Sequence, residues 1–160
     1  MTVSAVCFSD LQNINPSAII ELFTLTLDQG LHGATTVYRF HAGSNLDANG
    51  QIVWQGNSYL RFPIKAEGFA YQKGQIPRPK LTVSNATGLI SSLLLDVNEV
   101  TQGNDLTGAK VIRTRTMLKF IDAVNFVNQQ NPTADNTAII EEQVFKIDRK
   151  SSENREVVEF

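Results

Sequence analysis

Residues 52 to 62 commit this chain to antiparallel β structure. Two runs rich in β-branched and aromatic residues, Ile52 to Gln55 and Ser58 to Phe62, flank Gly56-Asn57, a pair that tolerates the positive φ of a tight two-residue turn. Further on, Ile76-Pro77-Arg78-Pro79 carries two prolines, which fix φ and remove backbone donors, so the segment is expected to be an exposed edge or a linker into a strand at Lys80 to Ser84. That strand alternates Leu81 and Val83 with Lys80, Thr82 and Ser84, the pattern of a half-buried strand. Because the prolines block pairing within the chain while Arg78 and Lys80 offer charge, Ile76 to Lys80 is a candidate assembly contact.

Other runs extend the pattern. Ile19 to Leu27 is apolar on much of both faces, and a glycine-bearing loop, Asp28 to Ala34, separates it from Thr35 to His41, which predicts a hairpin. Gly68 is expected to bend or bulge the strand Glu67 to Tyr71. Lys110 to Phe120, Thr137 to Asp148 and Arg155 to Phe160 read as further strands. Only residues 86 to 96 change period: Leu89, Ile90, Leu93 and Leu94 recur at helical spacing, with Asn85 or Thr87 as cap. The first fifteen residues read as a short apolar run, Val3 to Phe8, closed by a turn at Pro16. The expectation is a mainly β fold, a barrel or sandwich of antiparallel strands, with one short helix near residues 86–96 closing one end.

Composition narrows the function. A chain of 160 residues fits one domain, and 42% hydrophobic with 19% charged residues is a globular balance. The net charge of −2 argues against nucleic-acid binding, which calls for a basic field to neutralise phosphates. No run is long enough to span a bilayer as a helix, and Met1-Thr2-Val3-Ser4 lacks the basic start of a signal peptide. The most cationic stretch, Lys110 to Lys119, holds Lys110, Arg113, Arg115 and Lys119 without aromatic stacking neighbours on the same face. It reads as a solvated or intersubunit ion-pairing face, with Arg113 and Arg115 as candidate assembly contacts.

No arrangement for catalysis stands out. Cys7 is the single cysteine, too few for a disulfide, a structural zinc or a cluster, and reads as a packed or peripheral thiol. His32 and His41 lack acidic or sulfur neighbours at ligand spacing and read as surface or hydrogen-bonded groups. Asn45 to Gly50 has alternating oxygen ligands before a glycine but lacks the downstream glutamate of a calcium loop, so a plain turn is expected. Glu141 and Glu142 point to opposite faces of a strand and make no acid/base couple beside Asp148. Trp54, the only tryptophan, reads as a core anchor. These absences leave no catalytic residue and no metal ligand to name.

Four motifs carry a resemblance. Val53-Trp54-Gln55-Gly56-Asn57-Ser58-Tyr59, then Phe62-Pro63-Ile64, then Arg78 to Asn85 and Phe120 to Asn128 are similar, in order and spacing, to the N-terminal part of the minor tail protein L family of lambda-like long-tailed phages. The similarity runs from about residue 19 onward. It implies a structural component of the virion tail tip, made in the host cytoplasm: a homo-oligomeric, trimeric ring that acts as hub between the distal tail protein and the central tail fibre protein. The family is also associated with an iron–sulfur cluster in a cysteine-bearing C-terminal region, which this sequence lacks. The resemblance therefore implies no cofactor for these residues, and a strand pattern running to Phe160 is expected of a chain that stops short of that region. The competing reading is a β-rich carbohydrate- or protein-binding module using the loops at 42–50, 101–108 and 129–137; a hydrolase is disfavoured for want of a nucleophile and base.

Overall fold

A computed structural model describes residues 3–43, 50–70 and 73–160. In chain order the first elements are α1 (Ala5–Leu11), β1 (Ile19–Thr26), α2 (Gln29–His32), β2 (Val37–His41), β3 (Gln51–Trp54) and β4 (Asn57–Arg61). They are followed by β5 (Ile64–Glu67), β6 (Lys80–Ser84), α3 (Leu89–Val100), β7 (Lys110–Met117), β8 (Glu141–Lys146), β9 (Ser152–Glu153) and β10 (Val157–Glu159), with short 3₁₀ turns between β7 and β8. The fold is mainly β, as expected. Among the described residues its strands form two open sheets, ordered β3-β4-β2-β1-β7-β8 and β5-β6-β10-β9, rather than a closed barrel.

The chain divides into two compact units, each assembled from three separated pieces. The first comprises Met1–Leu25, Tyr38–Arg61 and Val111–Phe145. Its core gathers Cys7, Leu22, Ile52, Trp54, Tyr59, Met117, Phe120, Ile121 and Ala138. Trp54 is 1% exposed, the anchor the sequence suggested. Leu22 and Phe23 are neighbours in β1 and both are buried, which is what a strand apolar on two faces requires.

The β3–β4 hairpin forms one residue earlier than expected. Trp54 pairs with Asn57, so the two turn residues are Gln55 and Gly56, at φ 52° and 73°, and Asn57 joins the strand. The core decides this register. It sets Ile52 opposite Tyr59, and a one-residue slip would turn the buried residues toward the other face. The Asp122 carboxylate holds the turn in place by accepting from the N–H groups of Gln55 (3.0 Å) and Gly56 (2.7 Å). β4 also pairs in parallel with β2, Phe40 opposite Leu60, so the sheet is not wholly antiparallel.

The N-terminal run is a helix, contrary to the expectation of one helix in the chain. Ser4 has extended dihedrals and caps α1 with its hydroxyl, while its N–H donates to the Ile139 carbonyl at 2.9 Å. Cys7 and Asp10 form the buried side of α1. The strand expected across residues 137–148 is confined to β8, because Asp135 holds the Thr137 N–H and hydroxyl in a local turn.

The second unit comprises Thr26–Val37, Phe62–Lys110 and Lys146–Phe160. In its sheet β6 lies between β5 and β10, with Glu67 opposite Lys80 and Val83 opposite both Ile64 and Val158. Lys80 is therefore on an interior strand and not on an edge; the edge reading survives only for Ile76 to Pro79, which lie outside any strand. Gly68 ends β5 at φ 75°, and a Cβ there would sit 3.3 Å from the Arg78 carbonyl oxygen, so this close approach favours glycine.

Helix α3 starts at Leu89, later than expected, because Gly88 takes the N-cap position at φ 71°. Asn85 still supports the helix from outside: its Oδ1 accepts from Ser91 N–H (3.2 Å), and its Nδ2 donates to Ser91 Oγ (2.8 Å) and the Asn154 carbonyl (3.1 Å). Ile90, Leu93, Leu94 and Val97 form the buried stripe. α3 packs against α2, whose N-terminus is capped by the Asp28 carboxylate. The stretch 101–108 is a loop, as expected, with Gln102, Gly103 and Thr107 exposed, but it is tied down. Leu106 is buried, and Thr101 Oγ1 donates to the Leu31 carbonyl at 2.8 Å.

Candidate assembly surface

The strand period puts Arg113 and Arg115 on one face of β7. β1 and β8 flank β7 on either side and bring up Glu21 and Glu141. Arg113 binds Glu21 through Nη2, and its Nη1 donates to Gln143 Oε1 at 3.0 Å and lies 3.8 Å from Glu141 Oε2. Arg115 reaches the same two carboxylates, each at 3.5 Å. Two cations and two anions thus alternate across three strands. The Arg113 side chain is 12% exposed, so most of its charge is spent inside its own unit, whereas Arg115 at 30% keeps a solvent-facing edge. The sequence showed the cations but not their partners.

In the second unit Lys80 Nζ contacts Glu159 Oε2 at 2.7 Å across the β6–β10 pair. This contact, with the Ser152 hydroxyl at 3.0 Å, holds the Glu159 carboxyl below the usual carboxylate range. Arg78 differs from the other three candidates: it is exposed and has no ion-pair partner among the described residues. The four predicted contacts therefore fall in two separate units, and three of them are engaged internally.

The remaining candidates are structural. His32 is buried: Nδ1 accepts from Asp28 N–H at 2.8 Å, leaving Nε2 to donate to the Thr107 carbonyl at 3.1 Å. His41 is buried too, with Nε2 3.0 Å from the Gly50 carbonyl. Both are hydrogen-bonded, and neither is on the surface. Cys7 lies in the core, where burial pushes its thiol pKa up and disfavours the thiolate. Among the described residues no three His, Cys, Asp or Glu side chains are placed to hold a metal ion. The calcium-like segment 45–50 lies outside the described residues except for Gly50.

One groove of about 350 Å³ is lined by Ala5, Val6, Ser9, Asp10, Asn13, Lys119 and Phe120. Asp10 accepts from Ser17 N–H (2.9 Å), Lys119 Nζ (3.0 Å) and Asn13 Nδ2 (3.2 Å), which keep its carboxyl below the ordinary range. An ionised, fully bonded carboxylate is a poor general base and a good structural tie. Nothing in this groove pairs a nucleophile with a base.

Among the described residues these side chains serve as ion pairs, hydrogen bonds and core packing within their own units. The family model described as phage minor tail protein L matches residues 31–160, and the chain belongs to that family of phage tail proteins. Among characterised relatives it is similar to Tail tip protein L of Escherichia phage lambda, 40% identical over 78 residues, which are 48% of this chain and 31% of that protein. The match thus spans about a third of the relative's length.

Proposed function

We propose that this chain is a non-enzymatic structural subunit of the phage tail tip, which self-associates in a ring and joins the distal tail tube to the central fibre. The family match over residues 31–160 carries this reading. Cross-strand ion pairs and bonded, buried histidines among the described residues suit a load-bearing role. A trimeric copy number, the distal tail protein and the central tail fibre protein as neighbours, and synthesis in the host cytoplasm belong to the same proposal. Arg78, and the solvent-facing side of Arg115, are its candidate contacts, while Arg113 and Lys80 act mainly by holding their sheets in shape. The chain carries no iron–sulfur cluster of its own: such clusters take about four protein ligands, mostly thiolates, and its one thiol is buried in an apolar core.

Deleting the gene from its phage and supplying it in trans tests the role. Tails are expected to fail at the tip without the chain and to recover with it, and a tagged chain is expected at the distal end of the tail in electron micrographs. Normal tails without it, or a chain absent from purified particles that instead binds glycans as a monomer, would overturn the proposal.

A further inference from the structure

The second unit presents two surfaces whose chemistry is complementary and which it leaves unmatched. The first is the proline segment. Between Phe62 and Lys80 stand four basic residues, Lys65, Lys73, Arg78 and Lys80, against one acidic, Glu67, in a chain whose net charge is −2. Exposure alternates along the segment: Ile76, Arg78 and Lys80 are exposed while Pro77 and Pro79 are half-buried. Ile76 is 88% exposed, an isolated aliphatic held out on a stiff stretch of backbone. Lys80 is committed to Glu159, which leaves Ile76 and Arg78 as the projecting groups.

The second surface is the outer face of α3. Its buried stripe accounts for Ile90, Leu93, Leu94 and Val97, and Val100 lies on the flank of that stripe against Gly33, yet the opposite face also carries an aliphatic, Leu95, which is 69% exposed. A helix facing only water has polar residues there. Beside it are Asp96 and Glu99, both exposed and without an ion-pair partner among the described residues. α3 has no basic residue in its last turn, where Glu99 sits. A carboxylate at that end faces the negative pole of the helix dipole and is stabilised by an incoming cation.

We propose that the segment Ile76–Pro79 of one copy docks on the outer face of α3 of the next copy, Ile76 against Leu95 and Arg78 against Asp96 and Glu99. Spacing supports the fit. Alternate residues of an extended segment project about 6.6 Å apart, and side chains four apart on a helix, as Leu95 and Glu99 are, stand about 5–6 Å apart. The proline segment enters β6 at Lys80, and α3 follows the far end of that strand. The two surfaces are different patches of one unit: repeated head to tail the contact gives a ring or a filament, exchanged reciprocally it would give a two-fold dimer, and the ring-forming reading selects the first. This inference rests on the ring-forming reading above and names the residues that close it.

Paired cysteines test it. With Ile76→Cys and Leu95→Cys in one chain, mild oxidation of purified tails is expected to give a ladder of linked copies on a non-reducing gel, while either substitution alone gives none. After reduction, the chain's own band reports whether it is in the particle. A retained band without a ladder, or a bridge within one copy, overturns the docking and leaves the tail-tip role standing. A lost band counts against that role, and oxidation of the concentrated chain in solution then decides the docking by the same ladder. Independently, Arg78→Glu and Glu99→Arg are each expected to weaken self-association at least tenfold in sedimentation, and the two together to restore it. Lack of restoration overturns the pairing.

Discussion

Asn125 brackets Val53: its Oδ1 accepts from the Val53 N–H and its Nδ2 donates to the Val53 carbonyl, both at 2.7 Å. A side-chain amide thus serves the outer strand β3 as a neighbouring strand would, blunting an edge that could otherwise pair with another chain. Asn125→Ala removes both bonds and is expected to cost about 2–3 kcal/mol in chemical denaturation, the loss typical of unsatisfied backbone groups, and to promote aggregation. Unchanged stability and solubility would show that water replaces the amide.

Trp54→Ala is expected to lower stability by about 3–5 kcal/mol, since it leaves a large cavity among well-packed neighbours. Phe120→Ala, in the same cluster, is expected to fall near that range. Melting curves matching the parent chain would place both residues outside the cooperative core.

The arginines are expected to separate into two kinds. Arg113→Ala leaves Glu21 and Glu141 facing Arg115 without their second cation and is expected to cost about 1.5–3 kcal/mol, the range for losing hydrogen bonds to charged groups. Arg78→Glu, at an exposed position without an ion-pair partner among the described residues, is expected to stay within about 0.5 kcal/mol of the parent. Equal losses in urea titrations would contradict this division.

Acid sensitivity should trace to Asp105 and Glu153. Asn98 and Lys150 hold Asp105 below its ordinary value of 3.8, and Lys150 and Ser91 hold Glu153 below 4.5. Carboxyls depressed in the folded state stabilise it fully above their unfolded values and cease to do so as pH falls through the folded ones. Lys150 works in the other direction. Burial opposes its charge, but the bonds to Glu153 and Asp105 outweigh it and raise its value above 10.5, so its contribution fades only in strong alkali. The urea midpoint is therefore expected to drop below about pH 4.5. Asp105→Asn, less stable at neutral pH, is expected to show a shallower drop; parallel curves would remove Asp105 from the account.

Purified chain is expected to contain no stoichiometric iron and no visible charge-transfer absorption. Elemental analysis and a spectrum decide this, and a bound cluster would require thiolate ligands shared between copies, against the burial of Cys7.

Alternation made most strands legible in the sequence because it is local and the core enforces it. What escaped depended on distant partners. The turn at Gln55-Gly56 is held by Asp122, 67 and 66 residues away, so a glycine-asparagine signal alone placed it one residue late. Helix α1 had a readable sign in Ser4, but seven residues of mixed polarity show no clear period. Arg113 finds Glu21 across 92 residues, a pairing no local spacing can announce, and so an internal brace looked like an outward basic face. The phase of α3 turned on the cap: Gly88 delays a helix that Asn85 and Thr87 seemed ready to start.

The interleaving of the two units constrains how the molecule is made. Each unit draws on three stretches of chain, and those of one alternate with those of the other. During translation the first unit cannot close until Phe145 has left the ribosome, nor the second until the last strand, β10, has emerged, although β1 and β6 are exposed long before. Nascent apolar strands are made before their sheet partners, and no single cut in the gene can express either unit alone. Fragments intended for study have to be spliced from pieces or permuted.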